Sequence, residues 1–289
     1  MKVIVSKRAG FCFGVRRAIK MSRETLGKSK KDIDLSVYTL GPLVHNPDVI
    51  QQLEKEGIFS IDAASSIKKG YLVIRTHGTA PKIYKEALKR KLKVIDATCP
   101  LVRKIHDIVR DLTSNGYKII IIGHKDHPEV KGIAAYASSG CKVIESVDEA
   151  KKFAKEKKIT DKLGIVVQTT FMLDNFRAII PMLIDKAQEC RIFNTICSET
   201  KLRQAETLEL AKKVDIMIVV GGKDSSNTRR LFEICKKCCP STYLVEGAKH
   251  IKADWFRGKK TAGLTAGAST PDWVIEEIVR KIRGLGTGS

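Results

Sequence analysis

Short β-rich runs alternate with helical stretches along this 289-residue chain, and that alternation restricts the fold more than any other feature. Val3-Ile4-Val5, Tyr71 to Ile74, Val94-Ile95, Lys118 to Ile122, Lys142 to Ile144, Leu163 to Val167, Ile216 to Val220, Tyr243 to Val245 and Thr261 to Leu264 read as strands. Between them, Pro81 to Lys91, Leu101 to Asn115, Leu173 to Glu189 and Pro271 to Arg283 read as helices. The pattern predicts an α/β fold with mainly parallel sheets. The length exceeds one ordinary domain of ~100–200 residues, which implies two or three packed units. The longest apolar runs, Ile119 to Ile122 and Ile216 to Val220, are far too short to cross a bilayer. The start meets Lys7-Arg8 too early for the apolar core of a secretory signal, so a cytoplasmic protein is expected.

Lysine and arginine number 53 against 32 acids, a formal net charge of +21. Such a surplus attracts polyanions or steers an anionic small substrate. Base-stacking platforms need more aromatics than the 6% present, and the lysines lie in Glu-punctuated helical stretches such as Lys151 to Lys162, the pattern of a solvated basic surface.

Several strands run into polar loops of small residues: Arg75-Thr76-His77-Gly78, Gly123 to Glu129, Gln168-Thr169-Thr170, Gly221 to Asn227 and Ala266 to Thr270. In open α/β sheets ligands bind at the carboxyl ends of strands, and such loops offer backbone amides and hydroxyls to an anion. Any one of them also serves simply to turn the chain. Neither a Walker lysine-serine pattern nor a GxGxxG fingerprint is present, so the set points to an anion cleft of another design.

Eight cysteines lie at 12, 99, 141, 190, 197, 235, 238 and 239. In a reducing compartment they favour metal or redox work over disulfides. Cys12, Cys99 and Cys197 each follow a strand-like run and open a helix, the last before Glu199 to Lys212; there the helix amides favour thiolate. Three such thiolates suit either zinc or a [4Fe–4S] cluster with one iron left unligated by protein, while a free cysteine is ordinarily a small buried apolar residue. Cys235-Lys236-Lys237-Cys238-Cys239 contains a CxxC but sits late in a helix beginning near Thr228 and has no second CxxC. It reads as structural, as do Cys141 and Cys190.

The ordered motifs Gly10-Phe11-Cys12-Phe13-Gly14-Val15, Val44-His45-Asn46, Thr76-His77-Gly78, Asp96-Ala97-Thr98-Cys99-Pro100, His127-Pro128-Glu129-Val130, Gln168-Thr169-Thr170, Ser225-Ser226-Asn227 and Thr265 to Ser269 resemble the LytB/IspH family from residue 1 to about residue 283. The resemblance implies three similar α/β units with pseudo-threefold symmetry around a central cleft. Their expected bounds are 13–97, 98–193, and 194–283 joined by the N-terminal strand 1–12, with 284–289 a flexible tail. It implies the last step of the non-mevalonate isoprenoid pathway. There, 4-hydroxy-3-methylbut-2-enyl diphosphate loses its allylic hydroxyl in a two-electron, two-proton reduction, giving isopentenyl and dimethylallyl diphosphates.

On that resemblance Cys12, Cys99 and Cys197 are the cluster ligands, and the remaining iron takes the substrate's hydroxyl oxygen. Glu129 is the proton source, acting with Thr169. His45, His77 and His127, with Ser225, Ser226, Asn227, Thr169 and Ser269, bind the substrate and its diphosphate. His106, His124 and His250 stay packing residues, the His-Pro-Glu context selecting His127 over His124. Few arginines or lysines stand in these loops, so the surplus charge steers the anion or attracts an acidic electron-donor protein such as a ferredoxin or flavodoxin. No membrane and no nucleic acid is required. A zinc-thiolate hydrolase and a basic RNA-binding module are the alternative readings.

Overall fold

The computed structural model describes residues 1–31, 35–44, 46–156 and 161–285. Twelve strands form three four-stranded sheets, and every strand pairing is parallel, as the alternation predicts. The first sheet has the order β1 (Lys2–Val5), β12 (Thr261–Ala266), β10 (Ile216–Val220), β11 (Thr242–Val245). The second runs β5 (Lys93–Asp96), β4 (Tyr71–Ile74), β2 (Val37–Leu40), β3 (Ile58–Ile61). The third runs β9 (Glu189–Ile192), β8 (Lys162–Val167), β6 (Lys118–Ile122), β7 (Cys141–Ile144). Read in this direction the three orders are equivalent, so one α/β design occurs three times.

Ten α-helices are present among the described residues: α1 (Phe13–Ser29), α2 (Pro47–Glu56), α3 (Pro81–Lys89), α4 (Pro100–Ser114), α5 (Pro128–Ala134), α6 (Val147–Lys155), α7 (Leu173–Leu183), α8 (Ser198–Ala211), α9 (Ser226–Cys238) and α10 (Asp272–Leu285). By contacts the chain divides into two compact units. One contains 1–16, 44–56 and 198–289 with the first sheet; the other contains 17–43 and 57–197 with the other two sheets.

Helices cover both faces of the first and third sheets, which explains their unbroken apolar strands. In β6, Ile120 and Ile122 pack with Phe153 and Phe176 of α6 and α7, while Ile119 and Ile121 pack with Ile105 and Val109 of α4. Burying each such side chain contributes about 1.5–3 kcal/mol. In the first sheet, Ile216, Ile218 and Val220 face Val274 and Ile278 of α10, and Met217 and Val219 face Leu231 of α9.

Three strands escape the sequence reading. β9 is a polar edge strand, largely exposed, and Thr39 in β2 and Ser60 in β3 interrupt their apolar runs. The helix expected over Leu173 to Glu189 stops at Leu183, where a 3₁₀ turn takes over at Ile184–Lys186 before β9 begins at Glu189. Helix α10 runs to Leu285, and 286–289 lie outside the described residues.

Candidate functional site

The repeated sheet order repeats the placement of chemistry. In each sheet the two central strands end side by side, all but β2 in polar loops, and the edge strand beside them leads to a cysteine. After β12, β4 and β8 the backbone carbonyl two residues beyond the strand accepts a hydrogen bond from a cysteine N–H. The pairs are Cys12 to Ala268 at 3.2 Å, Cys99 to Thr76 at 3.0 Å and Cys197 to Thr169 at 2.9 Å. Each of these cysteines is partly buried and directly precedes a helix. The Cys12 and Cys99 carbonyls accept the first-turn amides of Arg16 and Arg103 at 3.0 and 2.9 Å. Arg17 adds a hydrogen bond from its guanidinium to the Thr98 carbonyl at 3.2 Å, fixing the loop that carries Cys99.

In the third sheet, β6 and β8 place Glu129 against Thr169. Glu129 is 2% exposed; its Oε1 accepts the Thr169 backbone N–H at 2.7 Å and its Oε2 lies 2.7 Å from the Thr169 hydroxyl. Burial pushes the Glu129 carboxyl above its ordinary range, against the opposing pull of the two Thr169 hydrogen bonds. The adjoining His127 caps α5, its Nδ1 accepting the Glu129 N–H at 3.2 Å, which leaves the neutral ring its hydrogen on Nε2. The His77 ring stands edge-on to His127 with centroids 5.4 Å apart, so the second and third sheets bring these two imidazoles together.

Gln168, fully buried, locks the two loops of the third sheet. Its Oε1 accepts the His124 N–H at 3.0 Å and its amide donates to the Thr170 hydroxyl at 2.8 Å. A Cβ on Gly123 would lie 2.8 Å from the Gln168 Cβ and 2.9 Å from Val130, so only glycine permits this approach.

In the first sheet, β10 and β12 deliver Ser225, Ser226, Asn227 and Ser269, all buried. The Ser225 hydroxyl caps α9, accepting the Thr228 N–H at 3.3 Å. The Asn227 amide nitrogen is buried without a hydrogen-bond partner, a donor whose desolvation only an acceptor from outside the chain would offset. Of the expected substrate residues, His45 lies outside the described residues.

The LytB protein family matches residues 3–283 of the chain. The chain belongs to the LytB family. A 4-hydroxy-3-methylbut-2-enyl diphosphate reductase of Pelobacter propionicus is 44% identical over 282 residues, 98% of this LytB chain and 98% of that protein. The enzyme of the same name from Geotalea uraniireducens is 44% identical over 285 residues, covering 99% and 98%. Among solved structures, an (E)-4-hydroxy-3-methyl-but-2-enyl diphosphate reductase described as the terminal enzyme of the non-mevalonate pathway is similar, with a TM-score of 0.71 and 41% identity over 98% of this chain and all of that one. The Plasmodium falciparum E-1-hydroxy-2-methyl-but-2-enyl-4-diphosphate reductase gives a TM-score of 0.86 at 32% identity, covering 96% and 87%. No helix among the described residues is long and apolar enough to cross a membrane.

The remaining cysteines of this LytB chain differ from the repeated three. Cys235 is fully buried and burial pushes its thiol up to about 12, while Cys141 and Cys190 are also raised by burial. Thiols so raised pack as small apolar groups. Among the described residues no group of three His, Cys, Asp or Glu side chains stands close enough to hold a single metal ion. A cluster distributes its thiolate ligands over separate irons, so its ligands need not crowd one point. The donor set fits such a group: three thiols at helix starts, each with its backbone amide pinned to the neighbouring strand's loop.

The sequence marks Gln168 only as part of the Gln168-Thr169-Thr170 motif, without its locking role, and does not mark Arg203. Arg203, in α8, is 3% exposed and donates from Nη1 to the carbonyls of Gly10 at 2.9 Å and Ala266 at 2.7 Å. The signal for Gln168 is its place in the polar motif that ends the apolar run of β8; for Arg203 there is none.

Proposed function

We propose that this chain is a 4-hydroxy-3-methylbut-2-enyl diphosphate reductase. It removes the allylic hydroxyl with two electrons and two protons to give isopentenyl and dimethylallyl diphosphates, the last step of the non-mevalonate pathway. Family membership at this coverage supports the reaction. The observation that carries the mechanism is the buried Glu129 with both oxygens on Thr169.

Cys12, Cys99 and Cys197 hold a [4Fe–4S] cluster with one iron not ligated by the protein, which when bound supplies the electrons and a Lewis acid at the hydroxyl oxygen. Glu129 holds a proton at Oε2. At 2.7 Å that proton passes to the Thr169 hydroxyl, whose own hydrogen goes to the departing oxygen, so hydroxide leaves as water. Burial raises the carboxyl's affinity for the proton, as a donor near neutral pH requires.

His45, His77, His127, Ser225, Ser226, Asn227 and Ser269 take the diphosphate. Imidazole, hydroxyl and amide donors are numerous enough to surround its oxygens, and the orphaned Asn227 amide gains its partner there. Because these donors are largely neutral, the +21 surplus acts at longer range, steering the anionic substrate and an acidic electron-donor protein of the ferredoxin or flavodoxin kind. In this reading the three units are 13–97, 98–193, and 194–283 with strand 1–12, one for each four-stranded sheet. A cytoplasmic setting keeps the thiols reduced.

The test is anaerobic turnover of the hydroxymethylbutenyl diphosphate with a reduced viologen. The wild type and Cys238→Ser should form both products, and Cys12→Ser, Cys99→Ser and Cys197→Ser should lose nearly all turnover. Undiminished turnover in Cys99→Ser would overturn the assignment.

A further inference from the structure

Arg203 is a buried cation without a buried carboxylate. Its contacts are two neutral carbonyls, Gly10 at 2.9 Å and Ala266 at 2.7 Å. Taking a guanidinium out of water against neutral dipoles alone is costly, so a compensating negative charge is expected nearby. The acids in reach are spoken for. Glu199 pairs with Arg8 at 2.7 Å with both side chains about two-fifths exposed, and Glu206 accepts the Lys7 N–H at 2.6 Å and faces Arg8 at 4.0 Å. Burial lowers the Arg203 pKa, opposed first by Cys12 and then by Glu199 and Glu206, so the guanidinium stands beside the Cys12 loop whose Gly10 carbonyl it holds.

The two carbonyls are also informative. Gly10 lies two residues before Cys12, and Ala266 ends β12, two residues before the Ala268 carbonyl that accepts the Cys12 N–H. Arg203 thus ties together both sides of the loop pair that fixes Cys12. A methionine or leucine would fill the space without the charge, and a lysine would keep the charge without the planar fork.

We propose that Arg203 is a positioning residue of the reduction. It clamps the Cys12 loop to the end of β12 and holds a fixed positive charge beside Cys12 that raises the reduction potential of the group bound there. This rests on the cluster reading above. A cation near the centre stabilises the form that has gained an electron, and net charge and hydrogen bonding are among the properties that set such potentials.

The test is anaerobic redox titration of the cluster-loaded wild type, Arg203→Met and Arg203→Lys, followed by electron paramagnetic resonance, with amide hydrogen exchange of the segments around Cys12 and Ala268. In Arg203→Met, the reduced-to-oxidised ratio at fixed poise should fall on the order of tenfold, about 59 mV for one electron. Arg203→Lys should recover most of that ratio while amide exchange at Cys12 remains faster than in the wild type. A wild-type potential in Arg203→Met, or an equal fall in Arg203→Lys, overturns the role of the charge. Unchanged exchange in both variants overturns the clamp. Should Arg203→Met not fold, Arg203→Lys decides: a wild-type potential with faster exchange upholds the proposal, and a potential lowered tenfold or unchanged exchange overturns it. A wild type that binds no cluster defeats the cluster reading instead, before any variant is compared.

Discussion

Replacing Glu129 by glutamine isolates proton delivery from everything else the side chain does. The amide is isosteric, and its Oε1 can still accept the Thr169 N–H that now lies at 2.7 Å. Its Nε2 takes the place of Oε2, 2.7 Å from the Thr169 hydroxyl, and donates where the carboxyl exchanged a proton. Both contacts survive, so the loops of the third sheet should keep their arrangement and the protein its fold. What disappears is an acidic hydrogen. General acid catalysis contributes about 10²–10⁴-fold, or about 3–5 kcal/mol at 1.36 kcal/mol per decade. Single-turnover reduction by the pre-reduced enzyme should slow by that factor, while diphosphate affinity measured by calorimetry changes less than about threefold, since no diphosphate donor is touched. The wild-type rate needs the protonated acid, so it should decline as pH rises through the raised Glu129 pKa, and Glu129→Gln should lack that decline. A rate within about fivefold of wild type, or a loss of substrate binding matching the loss of rate, would refute the relay.

His106 is buried and stacked on Tyr136, and burial lowers its pKa from 6.5 to about 4. The unfolded chain takes up that proton first, so stability should fall by about 3 kcal/mol on acidification from pH 6.5 to 4; denaturant midpoints flat across that window in wild type relative to His106→Gln would contradict this. Gly78 has φ +71° and a Cβ there would strike the His106 ring, so Gly78→Ala should cost about 1–3 kcal/mol and weaken substrate binding through the adjacent His77; an unchanged melting temperature and Kd would show that the loop yields freely. Native alkylation at pH 8 should modify exposed Cys238 and spare buried Cys235, read by peptide mass mapping, whereas rapid labelling of Cys235 would show that this helix end opens.

The parts of this molecule that the sequence discloses are those where local pattern and tertiary role coincide. The four consecutive isoleucines of β6 announce a strand covered on both faces, and the strand-cysteine-helix contexts mark Cys12, Cys99 and Cys197 because the hydrogen bond from each cysteine N–H sits at the same structural corner. The edge strand β9 gives a weaker signal: it is exposed along most of its length, so its composition answers to solvent rather than to packing. Arg203 was illegible for a different reason. Among the charged residues of α8 it looks like any solvated cation, and the segments that hold it, at Gly10 and at the end of β12, come from far along the chain. Glu129 and Thr169 were found through motif resemblance, yet their pairing across two loops follows from the adjacency of β6 and β8.

Cys12, Cys99 and Cys197 are proposed to hold a cluster at which the substrate is reduced. The most direct test is to purify the protein without oxygen, quantify iron, acid-labile sulfide and zinc, and record the visible spectrum before and after adding the hydroxymethylbutenyl diphosphate. About four iron and about four sulfide per chain are expected, with a spectral change on adding substrate. Stoichiometric zinc without sulfide, or no metal even after anaerobic reconstitution, would contradict the cluster.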